Sequence, residues 1–283
     1  MTTISRWVCI LIVLVLGVIV ILGLVFGLKK NKGTTNKGTT RNLKEIVVER
    51  CLMFIKEVDT SDNKCDQIWS TFKHAFIGKN PCNVKMGDYD QFIDTVHQYI
   101  SRNKTLFWSK TQQIAHDFTK ATKCFMTLED TLVGYMMDGL TWCGQNSSME
   151  FDYTYCPGYK ECENNPVSSF WKRASMNFAE SAQGRVAVML NGSMSQPFST
   201  SSIFGSIEVN HFNSSIISHV NIISVISSTY SGPCNSMSIR NLTSILKNKR
   251  INSTCKAITV SEIQNCTSKH NPQSCDCVIN GEL

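Results

Sequence analysis

Asn164–Leu190, NNPVSSFWKRASMNFAESAQGRVAVML, contains the junction between two kinds of pattern. Its first part puts Phe170, Trp171, Ala174 and Phe178 at helical spacing, with a cap expected near Ser168 and Gly184 as the stop. Beyond Gly184 the pattern changes to short β-rich runs at Val186–Leu190, Ser202–Val209 and Val220–Ser228, separated by polar connections. Ser238–Arg250 then reads as a helix, followed by a last short strand near Lys256–Val260. Upstream, Ile46, Val47 and Phe54, then Phe92, Ile93, Val96 and Ile100, follow helical spacing, and a further helix is expected from Trp108 to Lys120. Helices first and strands mixed with helices later predict a two-lobed α/β fold with α+β character. The helical lobe is expected mainly over residues 43–100 and 127–183. The other lobe, mainly 101–126 and 184–283, is expected to hold a small four-stranded parallel sheet flanked by helices. Ligands of such sheets sit beyond the carboxyl ends of the strands.

The chain has 283 residues, 42% hydrophobic and 18% charged, enough for a sizeable core, so its 13 cysteines supplement that core rather than replace it. The net charge of +6 is misleading. Residues 1–44 hold seven Lys or Arg and no acid, leaving 21 bases against 22 acids from Glu45 onward, which gives no support to a nucleic-acid surface.

Trp7–Leu28 is 22 residues without a charge, long enough as a helix to cross a ~30 Å hydrocarbon layer. It runs into LKKNKG rather than small residues of a cleavage site, so an uncleaved anchor is expected over 7–28, after a cytosolic tail at 1–6. Residues 29–42, with NKGTT repeated, are expected to form a flexible stalk before a folded part at 43–283. Flanking charge, with five Lys or Arg up to Arg41 against Arg6 alone, favours a cytosolic C-terminus. Twelve cysteines without metal-like CxxC pairs and seven glycosylation sequons, at Asn103, Asn146, Asn191, Asn213, Asn241, Asn252 and Asn265, oppose it and weigh more. The expectation is a disulfide-stapled, single-pass type II glycoprotein of the plasma membrane with its folded part outside.

No GxGxxG, Walker, GxSxG or HExxH sequence occurs, and the histidines are scattered, so neither a metal nor a triad is expected. Three stretches carry the functional signal: LFWSK at 106–110, TLEDTLVGYMMDGLTWCG at 127–144, and CENNPVSSFWKRAS at 162–175 followed by SIFGSIEV. Taken singly each has a plain structural use. Thr127–Asp130 resembles a helix-capping box, Trp108 and Trp171 suit a core, and Glu208 would face solvent from a strand. Together, in order and spacing, they resemble the ADP-ribosyl cyclase family from about Cys51 to about Cys275.

That resemblance implies Glu208 as the catalytic carboxylate, three residues after the glycine of Phe204-Gly205-Ser206. It places Trp108 and Trp171 along the pocket, Glu129 and Asp138 against the nicotinamide amide, and Ser109, Lys110, Ser175 and Phe204 near the substrate. Asp130 and Ile203 would play supporting parts, and one of the crowded acids Glu129 and Asp138 could be protonated. Lys110 stands where a similar member of the family has arginine, which bears on the diphosphate contacts. It also implies the pairings Cys51–Cys65, Cys82–Cys162, Cys143–Cys156, Cys234–Cys255 and Cys266–Cys275, which sequence alone could not choose. Cys124 and Cys277 are left either paired or free, and Arg102 and Gln183 occupy positions where relatives with one more bridge have cysteines.

The implied activity is cleavage of the nicotinamide–ribose bond of NAD, chiefly by hydrolysis, with some cyclic ADP-ribose formed and hydrolysed and a link to calcium signalling. NAD is then the substrate and no cofactor is needed. NADP and cyclic ADP-ribose are further ligands, and a homodimer a further state, that the resemblance allows. A receptor or adhesion ectodomain that kept the fold without turnover, and a predominantly cyclising enzyme, are the alternatives.

Overall fold

The computed structural model describes residues 38–56, 64–96, 99–227 and 232–268. The expected anchor at 7–28 and the cytosolic tail lie outside these residues, and none of the described helices is long and apolar enough to cross a membrane. Residues from Gly38 onward form one compact unit. It starts earlier than expected: Thr39 is buried, its amide donates to the Asp152 carbonyl at 2.8 Å and its hydroxyl to that of Cys143 at 3.0 Å. Residues 38–40 of the expected stalk are therefore packed, because the backbone amides of Thr39 and Thr40 donate to the carbonyls of Asp152 and Thr141, while Arg41 and Asn42 are exposed.

Helices α1 (Leu43–Lys56), α2 (Lys64–His74) and α3 (Asp90–Val96) open the fold. Strand β1 (Leu106–Ser109) follows, then α4 (Gln112–Thr122), α5 (Leu132–Met137) and the long α6 (Pro166–Ser181). Strand β2 (Gly184–Asn191), β3 (Ile217–Ile226), α7 (Met237–Asn248), β4 (Asn252–Thr259) and α8 (Val260–Ser268) complete it. The four strands lie in the order β1-β2-β3-β4, all parallel, with Phe107 opposite Val188, Val188 opposite Ile222 and Ile222 opposite Cys255. Both faces of the sheet are covered, so β2 and β3 are buried along most of their length. Val186, Val188, Leu190, Val220 and Ile222 join the large core with the helices of the first half. Ala187, Met189, Ile223 and Val225 meet Ala115 and Phe118 of α4 and Ile263 of α8 on the other face.

The large core centres on aromatic rings. Phe72, Trp142 and Phe170 meet edge to face at 5.2–6.2 Å, and Trp142 Nε1 donates to the buried Tyr89 hydroxyl, which donates to the Pro166 carbonyl, both at 3.0 Å. Bridges Cys51–Cys65, Cys82–Cys162, Cys143–Cys156 and Cys234–Cys255 are formed. Cys124 and Cys266 are also disulfide-bonded, so Cys124 is not a free thiol. Cys275 and Cys277 lie outside the described residues. The segments carrying Arg102 and Gln183 are joined instead by hydrogen bonds: Asn103 N to the Gln183 carbonyl and Gln183 Nε2 to that of Ile100, each at 3.0 Å.

Several expectations are corrected. The helix expected from Trp108 begins only at Gln112, because Leu106–Ser109 pairs with Ala187–Leu190 as an edge strand and Lys110 takes a left-handed φ of 58° at the break. The α6 cap is Asn165, whose side chain accepts from Ser168 N at 2.9 Å with Pro166 at the first helical position. That helix ends at Ser181, and Gly184, at φ 76°, opens β2 rather than closing α6. The last strand starts at Asn252. Ile100 is buried beyond the end of α3. The largest correction concerns Ser202–Val209, read as a strand. Phe204–Glu208 is a π-helical turn that continues into a 3-10 turn at Val209–His211.

Candidate active site

That turn is forced by close backbone approach. A Cβ on Gly205 would lie 2.1 Å from the Ser199 carbonyl oxygen, so only glycine lets the chain coil against Ser199 and Thr200. Ser202 Oγ accepts from Gly205 N at 3.0 Å and pins the start of the coil. Glu208 ends the turn with 7% of its surface exposed, a rare placement for a carboxylate. It accepts a hydrogen bond from Ser175.

A cavity of about 550 Å³ opens at the carboxyl end of β1. Trp108, Ser109 and Lys110 reach it from that strand end, and Trp171 and Ser175, four residues apart, from one face of α6. Ile203, Phe204 and Glu208 reach it from the π turn, Glu129 from a 3-10 turn at Leu128–Asp130, and Asp138 from beyond α5. Phe204 is buried, Trp108 and Trp171 are half-buried, and Ile203 is exposed at 42%. Among the expected site residues Asp130 alone does not line this cavity. It closes the capping box, accepting from Thr127 N at 2.8 Å and Thr127 Oγ1 at 3.1 Å.

Two further devices set Glu129. Gly134 of α5 packs so close to the turn that a Cβ there would stand 2.1 Å from the Leu128 carbonyl oxygen. Trp108 Nε1 donates to Glu129 Oε2 at 3.2 Å, and His116 Nε2 lies 3.3 Å from the same oxygen. Arg50 of α1 fixes the approach to Asp138 by donating to the carbonyls of Met136 and Asp138 at 3.1 and 2.8 Å. His116, Arg50 and the lining residues Gln112, Leu128, Leu140, Thr141 and Phe178 were not legible as site residues. Only the i, i+4 and i+7 spacing of Trp171, Ser175 and Phe178 offered a signal.

The two buried glutamates are pushed in opposite directions. Burial drives the Glu208 carboxyl up to about 8; the bond from Ser175 opposes this and the Glu129 charge adds to it. Burial also acts on Glu129, but the His116 ring, its own backbone N–H and Trp108 together outweigh it and hold the group below the ordinary carboxylate range. Of the two glutamates in the pocket, the one favoured in its protonated form is therefore Glu208, not Glu129. A large, partly apolar hollow with aromatic walls and three acids, Glu129, Asp138 and Glu208, suits a flat cationic ring joined to a polar, hydroxyl-bearing group.

The ADP-ribosyl cyclase family model matches residues 40–277, almost the whole folded unit. The chain belongs to the ADP-ribosyl cyclase family. It is 43% identical over 225 residues to the Rattus norvegicus protein ADP-ribosyl cyclase/cyclic ADP-ribose hydrolase 1, covering 78% of this chain and 74% of that one. Among solved structures, porcine CD38 with a covalent intermediate, ribo-F-ribose-5′-phosphate, aligns at a TM-score of 0.74 and 38% identity over 80% of this chain and 99% of that one. Aplysia cyclase with substrate NGD and product cGDPR aligns at 0.73 and 30% identity over 84% and 98%. Family membership makes this chain an enzyme of the NAD glycohydrolase and cyclase type, and the cavity gathers residues from all three cyclase-like stretches.

Proposed function

We propose that this pocket cleaves the nicotinamide–ribose bond of NAD, releasing nicotinamide and giving mainly ADP-ribose, with a smaller share of cyclic ADP-ribose that the same site can hydrolyse. The observation that carries the reading is Glu208, a carboxyl buried at a turn that only Gly205 permits and hydrogen-bonded by Ser175. The nitrogen of the scissile bond is already cationic, so nicotinamide departs neutral without a general acid, and a single carboxylate suffices where O-glycosidases need two. A bound cation favours the ionised form of Glu208, which then stabilises the oxocarbenium-like transition state as charge develops on the ribose. Trp171 offers its face to the pyridinium ring, a contact worth about 1–2 kcal/mol when desolvated. The Glu129 carboxylate and Asp138 accept from the carboxamide N–H, and Lys110 faces the diphosphate as a point charge rather than a fork.

Water at the sugar carbon gives ADP-ribose, and adenine N1 folding back gives the cyclic product. The exposed Ile203 at the cavity and its open volume favour water. NADP is a further substrate of the same groups, and no cofactor enters. The anchor at 7–28 would hold the enzyme on the plasma membrane with the folded unit outside, where its cysteines oxidise and its products feed calcium signalling. Six of the seven sequon asparagines are exposed and Asn191 is half-buried, compatible with glycosylation.

The test is to express the full chain in cells and add NAD, which does not cross membranes, to the medium. Intact cells should release nicotinamide with ADP-ribose as main product, and Glu208→Gln should abolish release while reaching the surface normally. Activity seen only after permeabilisation would refute the orientation, and near-normal turnover by Glu208→Gln would refute the assignment of the carboxylate.

A further inference from the structure

His116 stands just behind the pocket wall. Its ring meets Trp108 edge to face, with centroids 5.9 Å apart and planes at 87°, and its Nε2 lies 3.3 Å from Glu129 Oε2, an ion-pair contact outside hydrogen-bond geometry. Trp108 Nε1 donates to the same oxygen, so both nitrogen-bearing side chains converge on Oε2. The charges facing the imidazole are those of Glu129 and Asp130 from the 3-10 turn and Asp138 from beyond α5, with Lys120 one turn further along α4.

Resting on the NAD reading above, we propose that His116 is a positioning residue for carboxamide recognition: as an imidazolium it clamps Glu129 through Oε2 and keeps its other oxygen an acceptor for the amide N–H. The pairing with Glu129 favours the protonated ring, and burial only partly offsets it. The charge also counters that of Glu129 next to Glu208, in a cavity lined by three acids and one lysine. Without the imidazolium, burial would push Glu129 toward its neutral form, in which one oxygen becomes a donor and the other accepts from an amide N–H more weakly than a carboxylate does.

The experiment compares the full-length wild type with His116→Gln, Glu129→Gln and the double variant, on NAD and on its 3-acetylpyridine analogue, in which a methyl group replaces the amide nitrogen. His116→Gln should raise KM for NAD about three- to tenfold with kcat within about twofold, and leave KM for the analogue unchanged. The double variant should be no worse than Glu129→Gln, because one interaction cannot be lost twice. An equal rise in KM for both substrates, or penalties that multiply in the double variant, would overturn the proposal in favour of a packing role. If His116→Gln does not fold, the pH dependence of wild-type KM decides. It should rise for NAD and not for the analogue as the imidazole loses its proton, and a parallel rise overturns the role. Tryptophan fluorescence on NAD binding runs the same cycle without turnover, so an inactive wild type would refute the reaction while the His116 coupling stayed measurable; an absence of NAD binding would sink both.

Discussion

Burial of Glu208 should be visible in the pH dependence of turnover. With the free carboxyl at about 8, about one molecule in ten carries the carboxylate at pH 7 and about one in a hundred at pH 6. If the carboxylate is the active form, kcat/KM should rise about tenfold per pH unit and level above about pH 8. In kcat the same limb should lie at lower pH, because a bound pyridinium favours the ionised acid. Ser175 supplies the perturbation. Its hydrogen bond opposes the upward shift, so Ser175→Ala should move the limb to higher pH, by about one unit for a bond worth ~1.5 kcal/mol. Nicotinamide release followed by chromatography between pH 5.5 and 9.5 measures both limbs, and the acetylpyridine analogue gives the Glu208 limb free of any His116 contribution. A kcat/KM that does not change between pH 6 and 9, or a Ser175→Ala limb displaced to lower pH, would refute the reasoning.

Stability carries the opposite signature of the same group. The folded-state value of Glu208 is raised above its unfolded one, so the native protein loses stability as pH climbs from about 4.5 through about 8. Glu208→Gln, free of that penalty, should melt several degrees higher than wild type at pH 8.5 and at nearly the same temperature at pH 5 by calorimetry; a fixed difference at both would contradict it. Gly205→Ala should drive a methyl into the Ser199 carbonyl, uncoil the π turn and cut kcat/KM at least about a hundredfold, with a destabilisation of ~1–3 kcal/mol in urea titration. Trp171→Ala should raise KM for NAD about tenfold and Trp171→Phe much less, since a phenyl ring keeps part of the cation–π contact; equal losses in steady-state kinetics would argue against stacking.

The helices of the first half were legible because their apolar residues repeat with the helical period, as Phe170, Ala174 and Phe178 do on α6, and strands β2 and β3 because they read as short β-rich runs between polar connections. The Thr127–Asp130 capping box was legible for the same reason: it is a local hydrogen-bond pattern closed within four residues. By itself the sequence determined the class of fold, the wealth of cysteines that pair in the structure, and a family resemblance naming ten residues that line one cavity. Only the tertiary structure decided what long-range contact imposes. Leu106–Ser109 is a strand because β2 lies beside it, and Phe204–Glu208 coils because Gly205 must pass against Ser199. Likewise Glu208 rather than Glu129 is the acid driven toward its protonated form. The determining neighbours, Ser175, His116 and Trp108, are distant or unremarkable in sequence, and a carboxyl's ionisation depends on what surrounds it in space.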